Sequence, residues 1–137
     1  MPFKNVPKDV RQRMKCVGTK NTAPEMVVRR LLWSMGYRYR IHSSELPGKP
    51  DIVFKSRRKV IFVHGCFWHR HPGCKRVTFP KTRVDFWQSK FNATVRRDKL
   101  TLNKLEQLGW ASLIIWECET KQLDLLASKL TNFLEQE

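Results

Sequence analysis

The chain has 137 residues, 27 of them Lys or Arg against 12 Asp or Glu, for a formal net charge of +15. That length suits one domain with a core of its own, and the charge points to a polyanion, nucleic acid above all. No apolar run follows Met1 and none approaches the ~20 residues of a membrane span, so a membrane role is excluded and a cytoplasmic location expected.

Residues 1–21 carry Lys4, Lys8, Arg11, Arg13, Lys15 and Lys20 against a single acid, Asp9. They are expected to form a basic N-terminal arm that orders on a phosphate backbone, with 22–137 as one folded domain. Thr22-Ala23-Pro24-Glu25 predicts a helix start: Thr as N-cap, Pro in the first turn, Glu at the third position. Val28, Leu31, Leu32 and Met35 make its apolar stripe and Gly36 ends it. Tyr37 to His42 alternates as an edge strand does, and Leu46-Pro47-Gly48-Lys49-Pro50 is a turn.

Strands are predicted over Asp51–Phe54 and Lys59–His64, joined by a basic turn. The second is apolar on both faces, which predicts a central strand covered on both sides. A loop follows to about Thr82, then a long helix over 84–107 ended by Gly109. Ala111–Trp116 is another buried strand, and the last helix is expected from about Lys121 to Phe133. The whole reads as an α/β fold, helices around a mixed central sheet.

The chemistry concentrates in the loop after the second strand. His64, Cys66, His69, His71 and Cys74 fall within eleven positions, the soft donor set that zinc selects. Cys66, His71 and Cys74 with Cys118 make a tetrahedral set, and on spacing alone His69 fits in place of His71. Cys16, in the arm, is not needed. At least one histidine is left over for other work. Phe67 and Trp68 lie between the donors, on a loop with no evident core of its own. Aromatics held there are candidates to wedge between base steps, with Trp87 as a third. Lys75, Arg76, Lys81, Arg83 and Arg97 are candidate phosphate contacts.

Three acids stand out. Asp98 shares the stripe of Phe91, Val95, Leu102 and Leu105, and an inward carboxylate needs a partner, an imidazole by preference. Glu25 closes the helix start and also leans inward with Val28 and Leu32. Two inward acids and the spare His64 and His69 predict two carboxylate–imidazole pairs in one pocket. Asp51 heads its strand beside the end of the next, where a hard carboxylate suits Mg²⁺ and a phosphate.

The segments Thr22-Ala23-Pro24-Glu25, Leu46 to Asp51, Phe62-Val63-His64-Gly65-Cys66-Phe67-Trp68-His69, Phe86-Trp87 with Asn92, Arg97-Asp98, and Gly109-Trp110 with Trp116-Glu117-Cys118 resemble the very-short-patch mismatch repair endonucleases. They run in order along nearly the whole chain. The resemblance implies a restriction-endonuclease-like fold with a structural zinc. It also implies a Mg²⁺-dependent, strand-specific nick 5′ to the thymine of a T·G mismatch, as left by deamination of 5-methylcytosine.

By the same resemblance Asp51 is a Mg²⁺ ligand with the main-chain carbonyl of Val63. His69 is the water-activating base oriented by Asp98, and His64 is paired with Glu25. Cys66, His71, Cys74 and Cys118 hold zinc, and Phe67, Trp68 and Trp87 form the wedge. Val63 departs from relatives that carry Thr there, which removes a hydroxyl but not a carbonyl. Fold relatives usually carry an acid-x-Lys where this chain has Phe62-Val63-His64. The expected setting is a monomer on double-stranded DNA at the bacterial nucleoid, with mismatch-repair proteins as partners. Two other readings fit the residues: a different nuclease of the same fold, and a zinc-containing DNA-binding module without activity.

Overall fold

A computed structural model describes residues 21–136, so the predicted basic arm and Cys16 lie outside the described residues. Helix α1 is Ala23–Ser34, strand β1 Arg40–Ile41, β2 Ile52–Phe54, β3 Lys59–His64, helix α2 Val84–Gln107 and β4 Ala111–Trp116. A 3₁₀ turn, Glu117–Lys121, leads into helix α3, Leu123–Glu135. No helix among the described residues is long and apolar enough to cross a membrane.

The sheet has the order β1-β2-β3-β4. β1–β2 and β2–β3 pair antiparallel, β3–β4 parallel, and α2 supplies the crossover that a parallel pair requires. β3 is central, with the buried run Val60, Ile61 and Phe62 that its two-faced apolar pattern predicts. On one face Val28 and Leu32 of α1 and Leu126, Leu130 and Leu134 of α3 pack on Ile52, Phe54, Ile61 and Ile115. On the other, Leu105 of α2 packs on Val53, Val60 and Phe62. The molecule is thus a mixed α/β layered fold with helices on both sides of the sheet, as the element pattern predicts.

Three boundaries differ from the sequence reading. Only Arg40 and Ile41 of the predicted edge strand pair with β2, because His42 turns away at φ 51°. Asp51 stands just before β2 rather than in it. The last helix starts at Leu123, since Glu119 Oε1 accepts the Trp116 N–H at 2.7 Å and closes the tighter turn first. The turn before β2 needs its glycine twice over: Gly48 has φ 76°, and a Cβ there would collide with Thr101 of α2.

Candidate active site and metal centre

The parallel register pairs His64 with Trp116, so Cys66 and Cys118, each two residues further on, leave the sheet at the same end. Local hydrogen bonds fold the loop after β3 back on itself: His69 N–H to the Gly65 carbonyl (3.1 Å), His71 N–H to Cys66 (3.0 Å) and Cys74 N–H to His71 (3.3 Å). Donor atoms of Cys66, His71, Cys74 and Cys118 consequently lie within 4.8 Å of one another. His71 Nδ1 is 3.6 Å from Cys66 Sγ and 3.5 Å from Cys118 Sγ. Sulfur and nitrogen at about 2.3 and 2.0 Å from one tetrahedral ion are about 3.5 Å apart. The set therefore fits zinc. Burial pushes the Cys66 thiol up to about 12, and a bound cation reverses that preference by stabilising the thiolate. His71 stacks on Trp116 (centroids 4.3 Å apart, planes 12° apart), which holds its ring in place. His69 does not join this set.

His69 instead faces α2. Its Nδ1 is 2.7 Å from Asp98 Oδ2, with both side chains about a quarter exposed (25% and 23%). α2 carries Asp98 on the face that meets the loop, so the inward acid has an imidazole partner. His64 stacks flat on His69, centroids 3.8 Å and planes 9° apart. Burial pushes His64 down to about 4, and its neighbour His69 adds to that. It is a neutral platform at pH 7.

The predicted His64–Glu25 pair does not form. Glu25 Oε2 lies 2.6 Å from Nε2 of His42, a histidine the sequence reading passed over, and His64 Nδ1 is buried with no hydrogen-bond partner among the described residues. The reason is topological: Glu25 enters from α1, beneath the β1–β2 edge, whereas His64 points to the α2 side beside Phe62. Two carboxylate–imidazole pairs do line one cleft, but the second uses His42. The available signal was register. Arg40 and Ile41 pair with Val53 and Ile52, which sets His42 opposite Asp51. Glu25 also performs the capping role, since its N–H meets Thr22 Oγ1 at 3.3 Å and its Oε1 accepts the Asn21 N–H at 3.1 Å.

Asp51 Oδ2 accepts the Val63 N–H at 2.7 Å, tying the acid to the end of β3. Burial pushes the Asp51 carboxyl up to about 6, against that hydrogen bond, and the Glu25 charge adds to the rise. A carboxyl raised above its unfolded value of about 3.9 opposes folding once both states ionise, and the penalty fades as pH falls from about 6 towards 4. Asp51→Asn is therefore expected to be more stable than the parent by roughly 3 kcal/mol at pH 7.5 and by only about 1 kcal/mol at pH 4.5. Urea titrations at the two pH values without added Mg²⁺ measure this. A variant less stable at pH 7.5 would contradict it.

The aromatics have a core after all. Phe91 of α2, 2% exposed, is ringed by Phe67 (5.3 Å), Trp87 (5.6 Å), Phe79 (5.7 Å) and Trp68 (6.5 Å), with the Arg70 guanidinium 3.9 Å over its face. Trp68 is still 39% exposed; Phe67 and Trp87 are half-buried. The cleft of about 950 Å³ between loop, sheet end and α2 is lined by Glu25, His42, Asp51, Val63, His64, His69, Asp98, Phe67 and Trp68 among others. Arg97 also lines it. Lys75, Arg76, Lys81 and Arg83 are exposed on the loop that borders it. An acid on a sheet end facing an oriented imidazole, beside a basic rim, can hydrolyse a phosphodiester.

Comparison with known proteins gives the same direction. Residues 5–76 match the family model described as DNA mismatch endonuclease Vsr. The chain is 48% identical over 129 residues to the type II nicking enzyme V.XorIIP of Xanthomonas oryzae pv. oryzae, covering 94% of each protein. It is 40% identical over 126 residues to the DNA mismatch endonuclease Vsr of Escherichia coli K12, covering 91% of this chain and 80% of the relative. It is 36% identical over 120 residues to the type II nicking enzyme V.NmeAIP of Neisseria meningitidis, covering 88% and 85%. With matches over most of both partners and a cleft equipped for phosphodiester hydrolysis, the chain belongs to the very-short-patch DNA repair endonuclease family, Vsr, and is an endodeoxyribonuclease.

Proposed function

We infer that this endonuclease nicks one strand of duplex DNA 5′ to the thymine of a T·G mismatch, with Mg²⁺ at Asp51 and zinc as a structural staple. The layered mixed sheet is read as restriction-endonuclease-like. One observation carries the reading: the Asp51 carboxylate, anchored on Val63, and the His69–Asp98 pair line the same cleft. Relatives named as a mismatch endonuclease and as nicking enzymes support the substrate and the single-strand outcome.

The residues divide the work. Asp51 and the main-chain carbonyl of Val63 hold the cation, which when bound polarises the scissile phosphate and offsets its developing charge. Asp98 engages His69 Nδ1, so Nε2 is the nitrogen left to take a proton from the attacking water. The flat stack on His64 resists rotation of that ring, and a neutral His64 does not repel the proton His69 gains. Cys66, His71, Cys74 and Cys118 hold the zinc that stiffens the loop carrying His69. Phe67, Trp68 and Trp87, seated on Phe91, enter the base stack beside the mismatch.

Matched, T·G-mismatched and branched duplexes, labelled on each strand and offered with Mg²⁺, test the assignment. A single cut 5′ to the mismatched thymine is expected. Cleavage of both strands of matched DNA, or of branched DNA alone, would assign a different nuclease. No cleavage of any duplex would leave a DNA-binding module. For the wedge, Trp68→Ala is expected to weaken T·G binding about tenfold or more while matched-duplex binding falls little, an aromatic stacked on a base being worth about 1–3 kcal/mol. Equal losses on both duplexes in equilibrium titrations would remove Trp68 from that role.

A further inference from the structure

His42 belongs to none of the roles above, yet it lies at the hardest-worked corner of the cleft. A ring nitrogen of His42, an oxygen of Glu25 and an oxygen of Asp51 lie within 4.8 Å of one another. They arrive from separate places in the chain: the first turn of α1, the residue after β1 and the residue before β2. The His42 N–H donates to the Asp51 carbonyl at 3.1 Å, so backbone pairing pins the imidazole beside the carboxylate. Donors about 2.1 Å from one octahedral ion are about 3.0 Å apart at adjacent corners and about 4.2 Å at opposite ones. His42 Nε2 and Glu25 Oε2 stand at 2.6 Å, a hydrogen bond that has to open to about 3.0 Å for both atoms to reach one ion, a shift of a few tenths of an ångström.

A purely structural role for the Glu25–His42 contact explains less. Glu25 is 1% exposed, but it already receives the Asn21 N–H at 3.1 Å and the Arg29 guanidinium at 3.4 Å. Its burial is compensated without an imidazole. Glu25 and Asp51 also bring two carboxylates to one wall of the cleft, a density of negative charge that suits a divalent ion.

We propose that His42 is a nitrogen donor to the cation at Asp51, joining Asp51, the Val63 carbonyl and Glu25 and making the site a mixed imidazole–carboxylate one. This rests on the reading that Asp51 holds the catalytic cation. An imidazole shifts preference away from Mg²⁺ and towards first-row transition ions. His42 therefore contributes more to the binding of Mn²⁺ than to that of Mg²⁺.

Mn²⁺ added to the zinc-replete protein provides the probe. Pulsed electron paramagnetic resonance of the bound Mn²⁺ is expected to show coupling to a directly bonded ¹⁴N. In His42→Gln, with zinc content and circular dichroism retained, that coupling should vanish. The Mn²⁺ Kd should weaken about tenfold while the Mg²⁺ Kd moves less than about threefold. Asp51→Asn should abolish tight Mn²⁺ binding. Nitrogen coupling and affinity unchanged in His42→Gln would overturn the role of His42 alone, leaving Asp51 as the cation site. Unaltered Mn²⁺ binding in Asp51→Asn would overturn both readings. Absence of ¹⁴N coupling in the parent overturns the proposal without any variant. Should His42→Gln fail to fold, coupling that persists in His64→Phe and in His69→Ala assigns it to His42, and coupling lost in either overturns it.

Discussion

Replacing His69 by alanine is expected to lower single-turnover nicking of a T·G duplex by about 10³-fold, the usual span for losing a positioned general base being 10²–10⁴. Asp98→Ala should reach a similar loss, because it removes the group that holds Nδ1 at 2.7 Å and thereby sets which nitrogen is free. The double variant should then lose little more than His69→Ala, since two residues acting through one proton acceptor cannot each be removed twice. Binding to the duplex should stay within about threefold of the parent in all three, because neither side chain is a cationic phosphate contact. Losses that multiply in the double variant would show that the two residues act independently. An Asp98 variant that nicks at the parental rate would make the His69–Asp98 hydrogen bond a structural one.

Disruption of the Cys/His set should have the next largest effect. Elemental analysis is expected to find one equivalent of zinc per chain in the parent and none in Cys118→Ser, whose nicking should fall about 10²-fold or more, the scale attached to ångström misplacement of a catalytic group. The fold should survive. The core made by α1, α3 and the sheet contains none of the four donors, so the far-UV circular dichroism should change little. What loosens is the loop from Gly65 onward, which carries His69 and Trp68 away from Asp98 and Phe91. Full nicking by zinc-free protein would dismiss the staple, and global unfolding would mean that the sheet depends on it.

Both expectations follow from the same arrangement. The loop after β3 is held at its base by donors just past the ends of two parallel strands, and at its far side by aromatics around Phe91. His69 lies between those anchors. Its position is then a property of the loop as a unit, which is why a cysteine in the turn after β4 and an acid in the middle of α2 both bear on one proton transfer.

Local patterns in the chain were enough for the elements that obey them. The capping box at Thr22-Ala23-Pro24-Glu25 marked α1, the two-faced apolar run of Lys59–His64 marked the central strand, and Val84–Gln107 was legible as one helix. Cys66, His71 and Cys74 were legible as candidate donors because zinc demands particular residue types at close spacing, while Cys118 joined them as the cysteine just past the next buried strand. His69 was an ambiguity that spacing left open, and the fold resolves it by placing Asp98 opposite. Tertiary structure alone decided the partners. Glu25 met His42 rather than His64 because a two-residue strand pairs in one register and the layers of the fold separate the other candidates. Phe67 and Trp68 gained Phe91 as a floor from a helix some twenty residues away. Periodicity reports which face of an element is apolar, but it carries no information on which side chain of another element lies across from it. That depends on strand register and on which layer each helix joins, and both are settled only when the sheet assembles.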